Sequence, residues 1–311
     1  MSSERKYRRS YPARGFEVGL LSVVCFAFAN FFACADTFYA SVMGGSTIFK
    51  FDSNGNRLAF VTSGLNNPEG VAFDSKGNLY VASSTDSTIR KFDSNGTESL
   101  FANSGVNYPQ GLAFDSSDNL YVADSGNNTI KKFDSSGHGT MFASGLSYPS
   151  GLAFDSSDNL YVANYTGSTI MKIDPSGNKR LFASSNVHKP WGLAFDSSGS
   201  LYVANWDNTI QKFDSSGHGS MFANSGLNYP KGLAFDSVGN LYAVNYLGNT
   251  IEKFDASGQG SVFASGFFYP EFIAIQVPEP SSWAMVVLGV GAVFVGRRLR
   301  RRGAITAPGR D

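Results

Sequence analysis

Pro149-Ser-Gly-Leu-Ala-Phe-Asp-Ser-Ser-Asp-Asn-Leu-Tyr-Val-Ala-Asn164 is followed a few residues later by Ser168-Thr-Ile-Met-Lys-Ile-Asp174. The same phrase opens at Pro68, Pro109, Pro190 and Pro230, and a shorter copy opens at Pro270. The steps between these prolines are 41, 40, 41, 40 and 40 residues. A fixed period of this length fits stacked helical pairs or the blades of a propeller. The local pattern separates the two. Gly-Leu-Ala-Phe, Leu-Tyr-Val-Ala and Thr-Ile-x-Lys-Phe are short runs of aromatic and β-branched residues. Clusters of Asp, Ser, Gly and Asn bound each run, which is the signature of strands between turns. No run keeps a 3.6-residue apolar spacing long enough for a repeated helix. A fourth run, x-Phe-Ala, ends each unit, as at 99–102, 141–143 and 221–223. Four strands per repeat make one propeller blade.

These runs are strands A, B, C and D in order. Strand A occurs six times, last at Phe272–Ile275, and strand B six times, from Tyr39 to Tyr242. The first unit lacks A and the last has only A, so the two fragments complete one another. The expected fold is all-β: a six-bladed β-propeller over 36–276, closed by the C-terminal strand entering the first blade. Closure removes the strand edges that an open array would expose.

The phrases Pro-x-Gly-Leu-Ala-Phe-Asp, Asn-Leu-Tyr-Val-Ala-Asp and Asn-Thr-Ile-Lys-Lys-Phe-Asp, clearest from Pro109 to Asp134, resemble NHL-type repeats. They also resemble the related six-bladed propellers of the gluconolactonase-like family. The resemblance covers about 240 residues. It implies the fold and leaves function open, because one fold hosts many activities.

The two ends are of another kind. Residues 1–35 join a basic segment (Arg5, Lys6, Arg8, Arg9, Arg14) to an apolar run from Val18 to Phe32 and the small residues Ala33-Cys34-Ala35. That order is a secretory signal peptide, expected to form an apolar helix. At the other end, Pro278-Glu279-Pro280 precedes an apolar run from Trp283 to Gly296 and the cluster Arg297, Arg298, Arg300, Arg301, Arg302. The run is short for an unassisted membrane span of ~20 residues, and the arginines favour the cytoplasmic side. Segment 277–302 resembles the PEP-CTERM sorting signal. The resemblance implies a bacterial exported protein, held at least transiently in the membrane by this helix and processed by an exosortase-like enzyme. It also implies a place in the cell envelope, at the surface or in the matrix, often beside extracellular polysaccharide. Residues 303–311 read as a disordered tail.

The formal charge of zero hides an uneven distribution. Setting aside 1–35 and 281–311 removes 11 of 25 basic residues but 3 of 25 acidic ones, leaving 14 and 22, a net of about −8. An acidic ring excludes nucleic acid as a partner, since phosphate binding needs a basic stripe. Both cysteines, Cys25 and Cys34, fall in the signal region, so disulfides and thiolate metal sites are excluded for the ring.

The A–B and C–D connections are stereotyped Asp-containing turns, whereas the D–A and B–C connections vary and carry large aromatics. In an up-and-down blade the two variable sets share one end of the ring. Loops on a rigid scaffold are where function usually sits, and planar rings with polar edges suit sugars or peptide side chains. The candidate binding residues on that face are Tyr165, Trp206, Tyr246 and His188. To these the residue after each blade's proline adds Glu69, Gln110, Ser150, Trp191 and Lys231, each in Pro-x-Gly, and Glu271, in Pro-Glu-Phe, at the mouth of the innermost strands. Ring closure makes Glu271 a neighbour of both Glu69 and Lys231. The lysine before each strand-C Phe-Asp or Ile-Asp is expected to pair with a turn Asp of a neighbouring blade. In the gluconolactonase-like family, acidic and amide residues at such positions ligate a divalent metal, and Glu69 is similar to the acidic ligand. Gln110 and Ser150 depart from the remaining ligands, so no cofactor is expected. The alternative is a divalent metal on Glu69 and Glu271, serving a hydrolase of lactones or related esters. The favoured reading is a non-enzymatic module for an extracellular polysaccharide, peptide or protein.

Overall fold

A computed structural model describes residues 35–277, and these form six four-stranded antiparallel sheets. Blades 2 to 6 each run A-B-C-D in chain order: 68–102, 109–143, 149–183, 190–223 and 230–265. Blade 1 takes strands B, C and D from 37–61 and strand A from Pro270–Gln276. The closing pair runs Thr37↔Gln276, Phe38↔Ile275, Tyr39↔Ala274 and Ala40↔Ile273. The ring therefore closes as the repeat count requires. The two flanking helices expected from sequence, the tail and the arginine cluster lie outside the described residues. Among the described residues no helix is long and apolar enough to cross a membrane.

Each phrase of the repeat has a packing reason. Tyr of strand B, Phe of strand D and Phe of the next blade's strand A meet edge to face. Tyr80 packs on Phe101 and Phe114 with ring centroids 4.9 and 5.0 Å apart. Tyr121 does so on Phe142 and Phe154, Tyr161 on Phe182 and Phe195, and Tyr202 on Phe222 and Phe235. Such pairs contribute about 0.5–1.5 kcal/mol each beyond the area they bury. The blade 6 to blade 1 seam lacks the strand-A Phe, because Ile275 stands there. Phe38 fills the place, 4.6 Å from Tyr242 and 4.9 Å from Phe263. The glycine of Pro-x-Gly serves close approach of the innermost strands. A Cβ on Gly151 would stand 2.2 Å from the Trp191 carbonyl oxygen of the next blade.

The recurrent lysine corrects the expectation made for it. Lys91, Lys132, Lys172 and Lys212 pair with Asp74, Asp115, Asp155 and Asp196 of their own blades, at 2.9–3.6 Å. The register explains this: each lysine is directly opposite its own strand-B tyrosine (Tyr80↔Lys91, Tyr161↔Lys172), and its ammonium lies about 5 Å over that ring. From there only the same blade's A–B turn is in reach. The link between blades is a serine. Ser75 donates its N–H (2.9 Å) and hydroxyl to the two carboxylate oxygens of Asp118. Ser116 grips Asp158 in the same way, and Ser237 directs both donors at one oxygen of Asp36, Oδ2, at 2.8 and 2.7 Å. Asp118, read from sequence as local turn chemistry, is thus an inter-blade clamp.

Candidate functional site

The six innermost strands bring the residue after each blade's proline to one end of the ring axis, and all six are buried. Their chemistry is unequal. Ser150 is turned away from any ligand, its hydroxyl donating toward the carbonyls of Pro190, Trp191 and Ala163. Glu69, Lys231 and Glu271 form one cluster. The Lys231 ammonium contacts Glu271 Oε2 and lies over two rings, 4.5 Å from the Trp191 centroid and 4.0 Å from that of Tyr246. Glu69 Oε2, Glu271 Oε1, Gln110 Oε1 and Trp191 Nε1 are buried without a protein partner among the described residues.

Burial pushes the Glu69 carboxyl up, with the Lys231 charge and the neighbouring Glu271 carboxyl opposing the rise. The Glu271 carboxyl goes well above the usual carboxylate range, through burial first and the Glu69 charge second, again against Lys231. Two buried carboxyls whose charges act on each other cannot both ionise freely. The Lys231 ammonium balances one of the two carboxyls, and the upward shift of the other favours its neutral form. This donor set fits a divalent cation poorly. The positive charge is supplied by Lys231, which a metal would have to displace, and two carboxylates and an amide are a thin ligand set.

Around the cluster lies an arc of rings from the variable loops. Tyr148 meets Tyr165 at 5.8 Å, Tyr165 meets Trp191 at 4.7 Å and Trp206 at 5.7 Å, and Trp206 meets Tyr229 at 4.3 Å. Beyond Lys231 the arc continues as Tyr246 stacked on Tyr269 at 4.9 Å, with Phe268 next at 4.6 Å. The arc spans blades 4, 5 and 6 and reaches the start of blade 1. The corresponding loops of blades 1 to 3 hold Gly44-Gly45, Ser84-Thr85 and Gly126-Asn127 and contribute Tyr108.

The local chain explains how the rings are aimed. The residue before each blade's proline is left-handed, with Tyr108, Tyr148, Tyr229 and Tyr269 at φ 51°, 53°, 53° and 58°. That conformation costs a non-glycine residue about 1–2 kcal/mol. It is held by side-chain acceptors on the preceding blade: the N–H groups of Tyr148, Tyr229 and Tyr269 donate to Asn128, Asn208 and Asn249 Oδ1 at 2.7, 2.7 and 3.0 Å. Burial and neighbouring negative charges raise the Tyr148 phenol, so it is a neutral hydroxyl at physiological pH.

His188 stands apart, exposed at the rim with Nε2 3.9 Å from Asp207 Oδ2. Two contributors were missed by sequence reasoning. Lys189 places its ammonium 5.9 Å over Tyr165 and 5.8 Å over Trp206; its place in the D–A loop was the available signal. The Ser41 hydroxyl donates to the Glu69 carbonyl at 2.6 Å and fixes the strand that carries that glutamate. Strand B of blade 1 has Ser41 where the other blades have alanine or valine.

The chain is a six-bladed β-propeller with NHL-type repeats, ending in a signal for export. Residues 106–133 match the NHL repeat, residues 61–89 a beta-propeller repeat, and residues 276–302 the PEP-CTERM protein-sorting motif. The last marks an exported, envelope-associated protein handled by an exosortase. No curated protein matches the sequence. Among solved structures, a chain of the nidogen/laminin complex is similar at 20% identity, with 77% of this chain and 98% of that chain covered and a TM-score of 0.71. Virginiamycin B lyase from Staphylococcus aureus with quinupristin matches at 15% identity over 74% and 85% of the two chains, TM-score 0.60. A gluconolactonase from Xanthomonas campestris matches at 19% over 64% and 77%, TM-score 0.58. At these identities the likeness is one of fold.

Proposed function

We propose that this protein is an exported binding module. It holds an extracellular polysaccharide, peptide or protein against the aromatic arc of its variable-loop face. The observation that carries this reading is the continuity of the arc beside a buried cluster in which Lys231 pairs with Glu271. The rings offer flat apolar faces at fixed angles, Trp206 and Phe268 are exposed, and Lys189 adds a cation above two of them. Aromatic anchors set in a rigid surface are the usual hot spots of recognition. The nidogen/laminin complex shows a similar propeller within a protein assembly, and it is by proposal alone that this role extends to the present chain. An array of glycans and peptides tests the reading. Trp206→Ala is expected to weaken any hit at least about tenfold while leaving the thermal midpoint near that of the parent. Hits that survive both Trp206→Ala and Tyr246→Ala sink it.

A second reading rests on the orphaned acceptors Glu69 Oε2, Gln110 Oε1 and Glu271 Oε1: a metal-dependent hydrolase of lactones or related esters. Metal content and lactone turnover, measured beside Glu69→Gln, separate the two. One divalent ion per chain with turnover lost in the variant replaces the binding reading.

A further inference from the structure

The clamp between blades is a repeated device with three gaps. Along the ring, the position filled by Asp36, Asp118 and Asp158 is taken by Gly77 in blade 2, Gly199 in blade 5 and Gly239 in blade 6. The serines that would grip the last two remain, as Ser156 and Ser197, whereas Val277 stands at the serine position facing Gly77. At the blade 4 to blade 5 seam the missing side chain leaves a cleft of ≈500 Å³, lined by Ser156, Ser198, Gly199, Lys172, Phe182 and Phe195 among others. It opens on the stereotyped-turn face, away from the aromatic arc. Nothing lies within 4 Å of where a Gly199 side chain would begin. Among the described residues no protein group accepts from the Ser156 N–H or hydroxyl.

We infer that this cleft is a carboxylate site, in which the carboxylate of a hydroxylated acid of the sugar-acid class takes the place that Asp118 and Asp158 occupy at the sister seams. The sister seams are the template. Each shows a serine N–H and hydroxyl directed at the two oxygens of one carboxylate, with N···O distances of 2.9 and 3.1 Å. Paired donors of this kind make strong, oriented hydrogen bonds to a charged acceptor. The acidic residues that also line the cleft do not oppose this. Asp155 accepts from the turn N–H groups of Ser157 and Asn159 and from Lys172. Asp196 is held in the same way by its own turn and Lys212, and Asp214 by Ser216 and His218 N–H. The sister seams hold their carboxylates beside equivalent aspartates, Asp74 and Asp115. Behind the donors, Phe182 and Phe195 give the body of the ligand an apolar wall, and the neighbouring serines offer hydroxyl partners.

The test uses the purified full chain and ligand-observed NMR with three probes: glucuronate, acetate and methyl glucoside. Glucuronate is expected to bind, acetate to compete with it, and the uncharged glucoside to do neither. Ser156→Ala should weaken glucuronate at least about tenfold, the loss expected for a hydrogen bond to a charged group. Gly199→Asp places an internal carboxylate in the site. It should abolish glucuronate binding and raise the thermal midpoint, since Asp118 and Asp158 take the same left-handed turn at φ 60° and 56°. Glucuronate binding that persists in Gly199→Asp overturns the inference, as does the absence of binding by the parent. Capture of an acidic peptide in preference to both acids would assign the site to a protein carboxylate and overturn the sugar-acid class. The site is independent of the aromatic arc, so Trp206→Ala should leave it unchanged.

Discussion

Lys231→Met is the substitution whose outcome follows most directly from the channel mouth. Methionine keeps the length of the side chain and its packing on Trp191 and Tyr246, but removes the ammonium that contacts Glu271. Removing one partner of a buried ion pair costs about 3–5 kcal/mol when the other must stay charged. Here the carboxyls can escape by taking up a proton, so the loss depends on pH. Glu271 in the parent has its carboxyl raised well above 4.5. The folded state therefore keeps a proton that the unfolded chain releases, and stability falls as pH rises above that value. One proton corresponds to about 1.4 kcal/mol per pH unit. Without Lys231, both carboxyls lose the charge that opposes their rise, and the folded state keeps its protons to higher pH. The slope above pH about 4.5 should then be steeper than that of the parent, with most of the lost stability recovered as pH falls toward that value. The turn aspartates do not blur this window. Hydrogen bonds and lysines lower Asp115, Asp155 and Asp196 below 3.8 against the effect of burial, so their contribution is lost only as pH falls further. Urea unfolding at a series of pH values measures the slopes. Equal slopes for parent and variant would refute the role given to Lys231.

Other perturbations follow from the ring. Gly151→Ala drives a Cβ against the Trp191 carbonyl and should cost about 3 kcal/mol or more in urea unfolding. Phe38→Leu should cost about 1–3 kcal/mol by loss of its contacts with Tyr242 and Phe263; adding Ile275→Phe, which restores the arrangement of the other seams, should recover part of that loss. Asp118→Ala should lower stability by about 1 kcal/mol, and the same substitution in a Ser75→Ala background should have almost no further effect, because the two residues act as one clamp.

The repeat made the fold legible because every blade uses the same solution: a tyrosine, two phenylalanines, a glycine at the point of closest approach. The strand count even fixed how the ring closes. The meeting of Glu69, Lys231 and Glu271 was legible too, since six-fold closure decides which positions are neighbours. What escaped the sequence is reach across a seam. Asp118 has the appearance of an ordinary turn residue, and nothing in its own blade reveals Ser75, 43 positions away. The lysines were assigned to the wrong aspartates for the converse reason: a long side chain was expected to cross the seam, but the strand register lays it over its own blade. The hydroxyl of Ser150 could not be assigned either, because its direction depends on carbonyls of the next blade.

The closing strand pair also decides how the ring meets a load. Thr37 and Gln276 are partners at the same end of an antiparallel ladder, so the chain enters and leaves the domain side by side on the stereotyped-turn face. Tension applied between the two ends would open that ladder one rung at a time, from Thr37 and Gln276 inward. Both ends leave from the face opposite the aromatic arc, so whatever joins the ring at Asp36 or Val277 meets it away from the variable loops.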